Sequence, residues 1–281
     1  MTGRAQPLPL PPRFLTRGRL LRLLAVPAAF LVGLGVIVLL GGLGLYDLAL
    51  ARALLPSLWL GFRVTVEVTI VVILVGFGLG FLIGWARTTR SVLLQGAAGI
   101  YVDFFRSMPP IVLIAFSSII GLIALKPLVA DFFLRAAIGL WLAVFALAFH
   151  TAAYQAEIIR AGILSVPASQ TDAADALGIS RLRTMFVVVL PQAFRVSLPA
   201  LGNEFSSTLK DTSLLSVIGW LELSGVAALD VNAALLKSLT GPYYVWLEVG
   251  ALYLVLTYAI SFVVRLLEDY YRVPGLEVAI G

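Results

Sequence analysis

Six stretches of this 281-residue chain are apolar for long enough to cross a bilayer, and few charges interrupt them. They run at about 23–45, 63–86, 108–125, 136–158, 196–221 and 244–267. A spanning helix needs about 20 predominantly apolar residues. Lipid offers backbone groups no hydrogen bonds, so a helix that satisfies its own backbone is the natural spanning unit. The expected fold is an all-α integral membrane bundle of about six transmembrane helices. Composition agrees, with 60% hydrophobic and 12% charged residues. That is about half the charge of an ordinary soluble domain, which excludes a soluble globule and a disordered chain. The segment 91–107 is also apolar, but too short for a separate span beside 108–125. It reads as an interfacial or re-entering helix.

Charge orients these spans. The chain has 20 Lys and Arg against 15 Asp and Glu. Such an excess belongs in cytoplasmic loops rather than on nucleic acid. Assigning alternate loops to the inside puts thirteen basic residues there and five outside. Both termini are then expected in the cytoplasm. Arg4, Arg13, Arg17, Arg19 and Arg22 precede the first apolar run. That run is longer than a signal-peptide core, so it reads as an uncleaved anchor. The chain has no cysteine, which removes disulfides, thiolate metal sites and cysteine nucleophiles.

Within the second span, Gly76, Gly80 and Gly84 recur every four residues. A nucleotide-binding glycine fingerprint needs a strand before it and a helix after it, so close helix packing is the better account. The lysines are Lys126, Lys210 and Lys237, each after a leucine, and none completes a P-loop. ATP-driven transport would therefore require a separate ATPase. His150, the single histidine, lies in the fourth span. One histidine without cysteine makes no convincing metal site. It serves as a hydrogen-bonding group within the bundle or as a polar group on a pathway. No catalytic dyad or triad is evident. Asp103 and Arg106 have the spacing of a helical pair, and Ser107 is placed to cap a helix beginning at Pro109 and Pro110.

The longest polar segment is the cytoplasmic loop from about Arg160 to Arg195. Pro167 precedes a short helix that Ser169 can cap, with Asp172 in its first turn. Gly178 is placed to end it in a left-handed cap. A second helix is expected over 180–190, with Pro191 kinking the path into span five. The result is a helix–turn–helix that exposes Ala173, Ala174 and Leu177. The pattern fits a structural hairpin and a docking site equally well.

A resemblance separates the two. Asp172-Ala173-Ala174, Gly178, Val188 and Leu190-Pro191 fall at the offsets of the EAA loop of membrane subunits of ATP-binding cassette importers. Asp172 stands where that pattern has Glu, and Val188 where it has Ile. Phe105 to Pro109, Tyr154 to Gly162, Ser165 to Pro167, Gln170, Leu190 to Ala193 and Leu209 to Leu214 resemble the polar amino-acid (histidine/glutamine/arginine-type) permeases of this class. The resemblance covers about 58–270. It implies a five-span importer-permease core preceded by one extra N-terminal span. Residues 1–57 are then the basic tail, extra span and outer loop, residues 58–270 the permease domain, and residues 271–281 a cytoplasmic tail.

The resemblance further implies a transport subunit of the cell membrane rather than an enzyme. It implies a second permease subunit, identical or related, and ATPase subunits that carry ATP and magnesium. It also implies an extracytoplasmic amino-acid-binding protein. The EAA loop would enter a cleft of the ATPase.

Charges inside spans mark the candidate substrate path, because charge in lipid is costly. Span five carries two helical stripes: Asn203, Ser207 and Lys210, and Glu204, Thr208 and Asp211. Lys210 and Asp211 suit neutralising one another or contacting substrate. Glu67 and His150 complete the candidate set. Acidic groups on a pathway suit an amino group or a cationic side chain, and charges of both signs suit a zwitterion. The competing reading is an ion-coupled secondary transporter of small polar solutes. That class usually shows internal repeats, and none is convincing here.

Overall fold

The computed structural model describes Gly35 and residues 48–235 and 241–271. Apart from Gly35, the expected first span, the basic tail before it and the tail after Tyr271 lie outside the described residues. Every described element is helical. These are α1 (Leu48–Ala86), α2 (Val92–Ser107), α3 (Pro110–Ala124), α4 (Phe132–Leu164), α5 (Ala168–Ala176), α6 (Arg181–Thr184), α7 (Leu190–Asp211), α8 (Leu223–Leu235) and α9 (Gly241–Tyr271). A π-helical turn, Met185–Val189, leads into α7, and a 3₁₀ segment, Thr212–Ile218, follows it.

Among the described residues, four helices are long and apolar enough to span a bilayer: Arg52–Ala86, Phe132–Leu164, Arg181–Ile218 and Pro242–Tyr271. The bent pair α2 and α3 supplies a fifth if it counts as one span. The expected third span is the point of difference. Its helix has 15 residues, about 22 Å of rise, against a hydrocarbon core of about 30 Å. It meets α2 at a 100° bend. Met108 and Pro109 are both extended, with ψ of 133° and 132°, because a residue before proline is pushed out of the helical region. Ser107 therefore ends α2, and Pro109, not Ser107, occupies the position before α3. The sharp turn after 92–107 agrees with a helix that does not continue straight across.

The glycines of span two pack as their spacing predicts. A Cβ built on Gly76 would lie 3.2 Å from Thr151, on Gly80 2.9 Å from the Ala152 carbonyl oxygen, and on Gly84 2.5 Å from that of Ala156. Only glycine lets α1 and α4 approach this closely. Farther along the same contact, Val68, Val72, Val144, Leu147 and Ala148 form a core with Ile114 and Leu215. Many outward residues are large and apolar, including Leu74, Leu82, Ile100, Phe116 and Ile123, as lipid contact requires.

Helix α8 falls in a stretch expected to be an outer loop. Glu222 nucleates it. Its fully buried carboxylate accepts from Gly225 N (2.8 Å), Ser224 N (3.0 Å), Tyr253 Oη (2.7 Å) and Thr65 Oγ1 (3.4 Å). The bonds satisfy orphan amides at the helix start and tie α8 to α1 and α9.

Candidate functional site

Three separate segments close around a cavity of about 420 Å³. The bend between α2 and α3 contributes Arg106, Ser107, Met108, Pro109 and Pro110. Helix α4 contributes His150 and Tyr154, four residues apart on one face, and α7 contributes Glu204, Ser207 and Asp211, so that Ser207 rather than Thr208 shares the cavity face with the two carboxylates. The volume lies in the range of about 300–1,000 Å³ typical of small-molecule sites.

The lining carries charge of both signs. The Arg106 guanidinium carbon lies 5.2 Å from the Tyr154 ring centroid, which orients it by a cation–π contact. The Tyr154 hydroxyl donates to the Arg106 carbonyl at 3.5 Å, and the His150 ring lies 5.1 Å from that of Tyr154. Behind this wall the hydroxyls of Thr151 and Thr208 meet at 3.5 Å, so Thr208 joins α7 to α4 rather than lining the cavity.

Of the residues nominated from sequence, the structure brings His150, Glu204 and Asp211 together. Lys210 is exposed and outside the lining. Glu67 is exposed on α1, with Arg63 one turn away at 3.4 Å. Sequence reasoning missed Arg106 and Tyr154 as cavity residues. The spacing of Asp103 and Arg106 suits a helical pair, yet no ion pair joins those two among the described residues. The available signal was Pro109-Pro110, which turns the chain and leaves Arg106 at the corner.

Below the cavity, Glu157 on α4 pairs with Arg87 at the end of α1 and with Arg160. The Arg160 Nε bond measures 3.0 Å. This cluster fastens the ends of α1 and α4 where the loop leaves the bundle.

The loop departs from expectation in detail. Pro167, not Ser169, precedes α5, and Ser169 lies inside the helix without a capping bond. Asp172 is exposed beyond the first turn. Ala173 and Leu177 are exposed as expected, but Ala174 is only 4% exposed and faces the protein. Gly178 has φ of +71° and ends α5. Gly178 N donates to Asp175 O and Ile179 N to Ala174 O, each at 3.0 Å, which completes a Schellman motif. Ser180 precedes α6, and the expected second helix begins as α6 and continues through the π-helical turn. There Leu190 N donates to Met185 O, five residues back. Pro191 has no N–H to continue the ladder, so the widened turn comes just before it.

The family of binding-protein-dependent transport system inner membrane components matches residues 76–273. The chain belongs to that family. It is the permease component of an ATP-binding cassette importer, a multi-pass inner-membrane protein whose ATPase is a separate subunit. Among similar proteins is the nopaline transport system permease protein NocM of Agrobacterium fabrum. It is 31% identical over 243 residues, covering 84% of this chain and 95% of its own. The glutamine transport system permease protein GlnP of Escherichia coli is 32% identical over 214 residues, covering 76% and 92%. A solved structure described as an amino acid ABC transporter with histidines superposes with a TM-score of 0.64 at 28% identity. It covers 80% of this chain and 98% of that one.

Proposed function

We propose that this permease moves polar amino acids and holds them in the cavity between the α2–α3 bend, α4 and α7. The observation that carries the proposal is that Arg106, Glu204 and Asp211 line one cavity of about 420 Å³. An arginine fork suits an α-carboxylate, and carboxylates suit an α-ammonium. Ser107, Ser207 and Tyr154 add hydroxyls for a polar side chain. Relatives named for nopaline and glutamine transport support this class.

The loop is the device that couples the cavity to ATP. Asp172, Ala173 and Leu177 form the outer face of α5 that enters a cleft of the ATPase, while Ala174, Gly178, Val188, Leu190 and Pro191 set its shape. ATP and magnesium reside on that partner. The permease works as a pair with a second permease subunit and receives substrate from a binding protein at the outer face. Both termini lie in the cytoplasm, residues 1–57 precede the permease domain of 58–270, and residues 271–281 form a tail.

Reconstitution in liposomes with the neighbouring ATPase and binding protein tests this reading. Uptake of labelled glutamine, arginine or histidine should require ATP and both partners, and Glu204→Gln with Asp211→Asn should weaken it. Uptake that ignores the ATPase and follows an ion gradient would overturn the proposal.

A further inference from the structure

Helix α5 has two faces. Asp172, Ala173 and Leu177 are exposed, whereas Gln170 and Ala174, four residues apart, are half-buried and buried against the rest of the protein. On that inner face the Gln170 Oε1 accepts from the Gln192 Nε2. The same Nε2 donates to the Val188 carbonyl at 2.9 Å. Gln192 thus joins α5 to the start of α7, 22 residues away in sequence. Helix α7 then continues to Asp211 with Pro199 inside it. Glu204 lies about 18 Å along it from Gln192 at 1.5 Å per residue.

We infer that Gln170 and Gln192 form the strut through which α5 drives the cavity wall. The inference rests on the reading of α5 as the ATPase-docking helix. Displacement of α5 pulls on Gln192 and through α7 moves Glu204, Ser207 and Asp211 against Arg106 and His150. The π-helical turn is the yielding part, since its five-residue bonding departs from the regular four-residue ladder on either side. Without the side-chain bond, motion of α5 is absorbed by that turn. Gln192 is therefore a positioning residue for transport, distant from substrate.

The polarity of the bond provides the test. Gln192 supplies the hydrogens and Gln170 the acceptor. Gln170→Glu preserves the acceptor, whereas Gln192→Glu sets acceptor against acceptor at both partners. In liposomes with ATPase and binding protein, Gln192→Glu and Gln192→Leu should retain ATPase co-purification. Their amino acids transported per ATP should fall about tenfold, the scale of one lost hydrogen bond. Gln170→Glu should stay within about twofold of the parent on the same scale.

Equal losses for Gln170→Glu and Gln192→Glu, or undiminished transport in Gln192→Glu, would overturn the strut. The docking reading is judged separately by Asp172→Lys, which should lose the ATPase. If the ATPase stays bound to properly inserted Asp172→Lys, that reading fails and takes the strut with it.

A second measurement avoids dependence on folding of the polar variants. The chain contains no cysteine, so a Gln170→Cys, Gln192→Cys chain can be joined by a short bismaleimide. A strut that stays closed predicts that cross-linking preserves or restores uptake. Loss of uptake on cross-linking would show that the two helices part during the cycle, and the inference would fall.

Discussion

Gly84 meets Ala156 so closely that a Cβ on the glycine would stand 2.5 Å from the Ala156 carbonyl oxygen. The contact is backbone to backbone, so no flexible side chain can yield. Beside it, Arg87 reaches Glu157, which places the ionic fastening one turn beyond the tightest packing. Gly84→Leu should separate α1 from α4 and strain that ion pair. Overpacking of this kind costs about 1–3 kcal/mol. Gly78→Leu is the control, because a Cβ there meets nothing within 4 Å. Thermal unfolding in detergent should show a clear drop for Gly84→Leu and little change for Gly78→Leu. Equal stability of the two variants would contradict the packing account.

Glu222 holds the start of α8 through four accepted bonds, two of them from backbone amides. Removing the carboxylate leaves Thr65 Oγ1 on α1 and the Ser224 and Gly225 amides of α8 without this acceptor, while Tyr253 Oη keeps Ser224 Oγ at 3.1 Å. Each such loss costs about 1–3 kcal/mol. Glu222→Ala should therefore destabilise the protein more than Tyr253→Phe, which deletes one donor and leaves the other three bonds. Comparison of their melting temperatures in one detergent checks the order. A smaller effect for Glu222→Ala would mean that α8 is held by its apolar face alone.

These two sites mark what was legible in the sequence. Gly76, Gly80 and Gly84 announced a packed helix pair because their spacing is itself the geometric requirement. The bend after 92–107 and the end of α5 were also written locally, in Pro109-Pro110 and Gly178, whereas the start of α5 was not, since Ser169 lies inside the helix. Helix α8 was not, since 13 residues give too short an apolar run to separate from a loop, and its cap, Glu222, draws partners from residues 65 and 253. The cavity was half visible. Charges within span five named Glu204 and Asp211, because charge in lipid needs a reason. Arg106 stayed hidden, since its partner Tyr154 is 48 residues away and only the fold brings them together. Lys210 rested on its charge and on the Asn203, Ser207 and Lys210 stripe, of which only Ser207 lines the cavity.

Arg106 should matter for affinity rather than for assembly. Its guanidinium is oriented over Tyr154 at the cavity edge, where it can pair with a substrate carboxylate. Arg106→Ala should raise the KM for uptake by at least about tenfold, the scale of one charge-assisted hydrogen bond. Arg106→Lys should recover part of the loss, because an ammonium keeps the charge without the planar fork. ATPase co-purification should be unchanged in both. A fall in kcat with constant KM would assign Arg106 to a conformational step instead of to substrate.

Gly178 offers a test of the loop that involves no lost contact. A Cβ there meets nothing within 4 Å, so only its φ of +71° opposes substitution. A left-handed backbone costs an L-residue about 1–2 kcal/mol, less for Asn, and most for a β-branched side chain. The strain falls on the turn that directs α5, not on the transmembrane packing. The expected order of apparent affinity for the ATPase is Gly178, then Gly178→Asn, Gly178→Ala and Gly178→Val. Thermal stability of the isolated permease should fall by no more than this local strain across the series. Titration of purified ATPase against the reconstituted variants measures the order. A series in which Ala binds as well as Gly would mean that the ATPase reads the side chains of α5 without regard to how the Schellman turn presents them.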